Sequence, residues 1–203
     1  MNNKLLYGLI GLLIGAMGMW LIGCLGILGS TNGKISESMV NNTTLDAHFI
    51  EQMIPHHEDA ITISQIALTK SNRPEVKQLA MGIIDEQNHE IEQMRIWYKE
   101  WFGRELPSGD QVMQHHGTGT KEKGTLHMGI LGTSEDLRLL ENAEDFDRAY
   151  IGHMIPHHQM AVMMASMLKD GTNRSEMKTL ADSIITSQTS EIEQMRMWLT
   201  NWD

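Results

Sequence analysis

The chain has 203 residues, enough for one domain with or without an appendage. Sixteen Lys and Arg against 26 Asp and Glu give a net charge of −10, which excludes the basic footprint of a nucleic-acid binder. Cys24 stands alone, which excludes a disulfide framework and cysteine-ligated zinc or iron–sulfur sites; 17 Met and 10 His supply thioether and imidazole instead, either a donor set suited to copper, Cu(I) above all, or a helical core filled with Met.

The first predicted element is a membrane anchor over residues 1–29. Leu5 to Leu28 carry no charge, and about 20 apolar residues suffice to cross the bilayer core. Lys4 precedes the run, while Lys34 and Glu37 after it nearly cancel, which places the N-terminus in the cytoplasm and the rest outside. The alternative is a lipoprotein cleaved and anchored at Cys24, since Leu21-Ile22-Gly23-Cys24 fits such a site; the apolar Leu25-Gly26-Ile27-Leu28 that follows favours the uncleaved helix. Gly8, Gly11, Gly15 and Gly18 share one face, a surface for self-association of the anchor or simply the frequent glycine of membrane helices. Residues 30–43 read as a polar spacer.

Residues 44–203 are dominated by an internal duplication. Positions 46–101 align without gaps with 147–202 at a constant offset of 101, and 25 of the 56 pairs are identical. Met53-Ile54-Pro55-His56-His57 matches Met154-Ile155-Pro156-His157-His158, and Glu90-Ile91-Glu92-Gln93-Met94-Arg95 matches Glu191-Ile192-Glu193-Gln194-Met195-Arg196. Each half reads as two helices. The first runs from about Thr44 to Thr69, with Thr43 or Thr44 as N-cap and an internal Pro55 that should kink or locally open it. After a short turn, Asn72 caps a second helix that begins with Pro74 and stops at Gly103. The second half repeats this from about Asn142 to Lys169 and from about Asn173 to Trp202. The hairpins 44–102 and 142–203, joined by a long mobile connection over 103–141, predict an all-α four-helix bundle.

On a helical wheel both histidines of the first pair flank Met53 on the apolar face, with Asp46 on the same side, and Gln87 and Glu90 fall within the apolar stripe of the next helix. Counting from the turn, His56 is level with Gln87, and Met53 with Glu90. The duplication adds Met154, His157, His158, Gln188 and Glu191. The bundle centre therefore gathers four His, two Glu and two Met, and an unpaired buried carboxylate there would be very costly. Either the cluster is a hydrogen-bond network, or it is a metal site with Met53, His56, His57, Met154, His157 and His158 as donors, and Glu90 and Glu191 as ligands or as partners that orient the imidazoles. A second feature belongs to the third helix alone: Met160, Met163 and Met167 lie away from Met154, with His153 at the edge. This stripe is either a soft-metal site or a face covered by the connection or a second chain.

The two Met-Ile-Pro-His-His motifs at 53–57 and 154–158 and the two Glu-Ile-Glu-Gln-Met-Arg-X-Trp motifs at 90–97 and 191–198 resemble the family called domain of unknown function 305, over residues 44–203. The resemblance implies a ferritin-like four-helix fold. It also implies a function seen in some members, exported bacterial copper-binding proteins linked to copper resistance that bind through Met and His. The matched pair of Glu-X-X-His motifs of ferritin-type sites is absent, since Glu86-Gln87-Asn88-His89 has no counterpart at 187–190, which speaks against oxidase or iron-storage chemistry.

Three functions follow as alternatives. The first is a membrane-anchored, extracytoplasmic protein that sequesters or hands on copper as Cu(I) or Cu(II), with the membrane and the metal ion as its partners and no nucleic acid. The second is a metal-dependent redox enzyme of ferritin-like type, and the third a non-catalytic structural or interaction bundle. No nucleophile motif, phosphate loop or nucleotide fingerprint is present, so no catalytic residue is assigned.

Overall fold

Local chemistry sets the hairpin turns. The N–H of Ser71 donates to the carbonyl of Ala67 at 3.0 Å, and the Ser71 hydroxyl oxygen accepts from the N–H of Arg73 at 3.0 Å. The second hairpin repeats this with Thr172, whose N–H donates to Leu168 at 2.8 Å and whose Oγ1 accepts from the N–H of Arg174 at 3.1 Å. The helices after the turns are therefore capped at Arg73 and Arg174 with no side-chain cap bond, not at Asn72 and Asn173 as expected. A hydroxyl one residue further back already holds the turn.

The computed structural model describes residues 32–107 and 134–202. Its helices are α1 (Asn32–Lys70), α2 (Pro74–Phe102), α3 (Ser134–Glu141), α4 (Phe146–Gly171) and α5 (Ser175–Asn201), and no strand occurs among the described residues. Three boundaries differ from expectation. Residues 32–43, read as spacer, continue α1 toward its N-terminus, because no proline or glycine after Gly33 interrupts the backbone ladder before Pro55. The short α3 lies inside the expected connection. The helix expected from Asn142 starts at Phe146, since the Asp145 carboxylate accepts from the N–H of Arg148 at 3.0 Å and caps it there. Gly103 ends α2 with φ 63°, a left-handed cap that suits glycine. Pro55 and Pro156 stay inside continuous helices, each removing one intrahelical hydrogen bond. No described helix is long and apolar enough to cross a membrane. The expected anchor over 1–29, with Gly8, Gly11, Gly15, Gly18 and Cys24, lies outside the described residues.

The four long helices pack around two apolar cores. One is built from Ile50 and Met53 of α1, Met94 and Tyr98 of α2, Leu168 of α4 and Ile184 of α5 with their neighbours. The other contains Ile63, Ile83, Ile151, Met154, Ile192 and Met195. The 101-residue offset carries Ile50, Met53 and Met94 of the first core onto Ile151, Met154 and Met195 of the second. Each fully buried Ile or Met side chain contributes about 1.5–3 kcal/mol. These cores flank a polar layer midway along the bundle.

Matched contacts tie the hairpins at both ends. Asp46 accepts from the Thr172 hydroxyl at 2.7 Å and from Arg174 Nε at 3.1 Å, and that guanidinium lies 4.2 Å over the Trp101 ring. At the opposite end Arg73 stands 3.7 Å from Asp147 and 4.1 Å over the Trp202 ring. Burial raises the Asp46 carboxyl above its ordinary range, and the bonds from Thr172 and Arg174 oppose that rise.

Candidate metal centre

Consecutive helical residues point about 100° apart. His56 and His57 on α1 therefore face different neighbours. His56 meets His157 of α4, with ring centroids 3.7 Å apart and planes tilted by 41°. His57 turns to α2, where its Nε2 shares a 2.7 Å hydrogen bond with Glu90 Oε2. The equivalent pair is His158 Nε2 with Glu191 Oε2 at 2.8 Å. All four histidines are buried, as are Gln87, Glu90 and Gln188, while Glu191 is half-buried. Sequence and structure thus agree on which polar groups share the layer.

The hydrogen bonding of this layer is incomplete. Both ring nitrogens of His56 and of His157 lack a partner, and so does Nδ1 of His57 and of His158. Gln87 Oε1, Gln188 Oε1 and Glu90 Oε1 are also without one. Leaving a buried polar group unsatisfied costs about 1–3 kcal/mol. His56 and His157 therefore face each other with buried ring nitrogens that no side chain satisfies, although apolar residues fill the layers on either side.

Burial also fixes the protonation states. It lowers His56 to about 3, with the charges of His57 and His158 adding to the effect. It lowers His157 to about 2, with His56 next in weight, and His57 to about 3. Burial raises Glu90 to about 7, helped by the nearby Glu191 charge and opposed by His158. His57 and Glu90 are thus joined by a hydrogen bond with a neutral imidazole. Neutral imidazole is the form that ligates metals.

The predicted donors are distributed unevenly. Met53 and Met154, fully buried, sit one helical turn before the histidines, the first in one core and the second in the other. Glu90 and Glu191 are hydrogen-bond partners of His57 and His158. Among the described residues no three His, Cys, Asp or Glu side chains are arranged to hold one ion. Met163 and Met167 are exposed as expected, but Met160 is half-buried and packs against the apolar core, since its position borders the buried face of α4.

Two neighbours of the layer escaped the sequence reading. Glu86 of α2 is bonded to Ser187 of α5, and burial raises its carboxyl. Ser64 of α1 shares a 3.0 Å hydrogen bond with the Tyr150 hydroxyl. Both pairs join the two hairpins at positions where the repeat is not identical, so the duplication gave no hint of them.

The model of the family described as domain of unknown function (DUF305) matches residues 46–199. The chain belongs to the DUF305 family. DUF305 structures similar to it include a fragment from Deinococcus radiodurans, 26% identical, covering 77% of this chain and 95% of that one with a TM-score of 0.61. CopM in its Cu(I)-bound form is 44% identical, over 77% of this chain and 96% of that chain, with a TM-score of 0.63. CopM in its apo form is 45% identical, over 77% and 97%, with a TM-score of 0.64. CopM has also been solved with Cu(II) and with Ag bound. The uncharacterized protein L153 of Acanthamoeba polyphaga mimivirus is 43% identical over 49 residues, which span 24% of this chain and 32% of that protein. The DUF305 match takes in both histidine pairs and both buried glutamates.

Proposed function

We propose that this protein binds copper in the polar layer of a ferritin-like four-helix bundle and sequesters it or hands it on outside the cytoplasm, tethered by the N-terminal anchor over residues 1–29. One observation carries the reading: two buried, neutral imidazoles, His56 and His157, stand face to face with four unpartnered ring nitrogens. Imidazole binds copper, and thioether favours its monovalent state. Met53 and Met154, buried one turn away, supply that second donor type. Glu90 and Glu191 orient the outer imidazoles, and their carboxylates offset the charge of a cation brought into the layer. The similarity to CopM, solved with Cu(I), Cu(II) and Ag, supports the same cargo here.

Anaerobic Cu(I) titration of the full-length chain against a chromophoric competitor tests this. Wild type should retain Cu(I), and the double variant His56→Ala with His157→Ala should weaken the tightest equivalent by at least about 100-fold, the upper range for loss of groups that merely support a metal ligand. Unchanged affinity in the double variant would remove copper from the layer.

A further inference from the structure

The outer groove between α1 and α4 has a fixed register. The Leu45 side chain lies against Gly171, so closely that a Cβ added there would come within 2.6 Å of Leu45 Cδ2. Further along, His56 meets His157. Between these points the helices run antiparallel, and one turn of each is 3.6 residues. One turn in from Leu45 and Gly171, therefore, His48 of α1 comes level with Met167 of α4. The next turn brings Gln52 level with Met163. Met167 is 65% exposed and Met163 49%. The His48 side chain is 45% exposed, with Nδ1 3.8 Å from Glu51 Oε2.

This end of the groove departs from the repeat. At the 101-residue offset His48 corresponds to Ala149, and Met163 and Met167 correspond to Thr62 and Ile66. The opposite end of the same groove therefore offers Ala149, Thr62 and Ile66 where this end offers an imidazole and two thioethers. The apolar cores need neither exposed methionine, since both side chains project outside them.

We infer that His48, Met163 and Met167 form a second site for a soft monovalent cation, Cu(I) or Ag(I), on the outer α1–α4 groove with donors from both hairpins. It rests on the copper reading above but uses none of the residues of the buried layer. Thioether and imidazole together select a soft ion over Mg²⁺ or Ca²⁺, which take oxygen donors. Two donors on α4 one turn apart and one on α1 level with the nearer of them, Met167, also let an ion bridge the hairpins at the surface.

Silver titration of the full-length chain carrying ¹³C-methyl methionine tests the site, with Ag(I) as the probe. In wild type the Met163 and Met167 methyl resonances should shift together with uptake of one equivalent that the Met163→Leu, Met167→Leu variant lacks. His48→Ala should weaken that equivalent by about tenfold or more, at least the cost of losing a supporting group. The substitutions are at exposed positions and Leu keeps the size of Met, so the fold is preserved. In the His56→Ala, His157→Ala background the groove equivalent should persist. Loss of the buried equivalent there leaves this site standing, whereas an unchanged total there refutes the buried site alone. Equal stoichiometry in wild type and the double Leu variant, unmoved methyl resonances, or full affinity in His48→Ala would overturn the groove site.

Discussion

Replacing His56 and His157 together by leucine should raise the stability of the metal-free protein by about 2–4 kcal/mol while removing Cu(I) from the layer. The ring centroids lie 3.7 Å apart with the planes tilted by 41°, and no side chain hydrogen-bonds any of the four ring nitrogens. Each therefore carries a desolvation cost that no side-chain hydrogen bond offsets in the metal-free state. Leucine has a comparable volume, carries no polar atom and joins the apolar cores on either side of the layer. A gain in the urea midpoint at constant slope, with loss of metal, identifies residues kept for binding at the expense of stability. A less stable double variant would mean that the histidines hold the fold together, as a structural network would.

Acid should unfold the metal-free protein steeply. His56, His57 and His157 are lowered from 6.5 to about 3, about 3 and about 2. The unfolded chain takes up these protons once the pH falls below 6.5, and the native state does not, so stability falls with pH across that window. Glu90, raised from 4.5 to about 7, acts in the opposite sense. Its protonation in the native state adds stability as pH falls from about 7 to 4.5, and below 4.5 the unfolded carboxyl is protonated too. The three histidines then act against only the Asp46 carboxyl, itself raised from 3.8, so the fall should be steepest between about pH 4.5 and 3.5, with about 4 kcal/mol per pH unit as its ceiling. Urea midpoints measured from pH 7 to 3.5 should show the fall, and the His56→Leu, His157→Leu variant should show a shallower one. Parallel profiles for the two proteins would contradict the neutral, buried state of the pair.

The polar layer was legible because two independent periodicities coincide. The helical wheel put His56, His57, Gln87 and Glu90 on inward faces, and the duplication placed His157, His158, Gln188 and Glu191 opposite them. The partner of each histidine was not legible. That His56 meets His157 while His57 bonds Glu90 depends on the α1–α4 register, set by Asp46 against Thr172 and Leu45 against Gly171, contacts remote in sequence. Cap positions were missed for a local reason: the hydroxyls of Ser71 and Thr172 accept from the N–H groups of Arg73 and Arg174 and shape the turns, so each helix is capped one residue later than Asn72 and Asn173. Met160 lies at the boundary of the α4 wheel, where a few degrees decide between core and groove, and packing settled it as half-buried.

X-ray absorption at the copper edge of Cu(I)-loaded full-length protein tests the buried site most directly, because it reads the donor atoms themselves. The Met163→Leu, Met167→Leu variant should be used, so that the groove contributes no sulfur. The layer then predicts imidazole scattering from His56 and His157, lost in the His56→Ala, His157→Ala form of the same protein. A spectrum with sulfur or oxygen donors and no imidazole, or one unaltered by removing the two histidines, would contradict it.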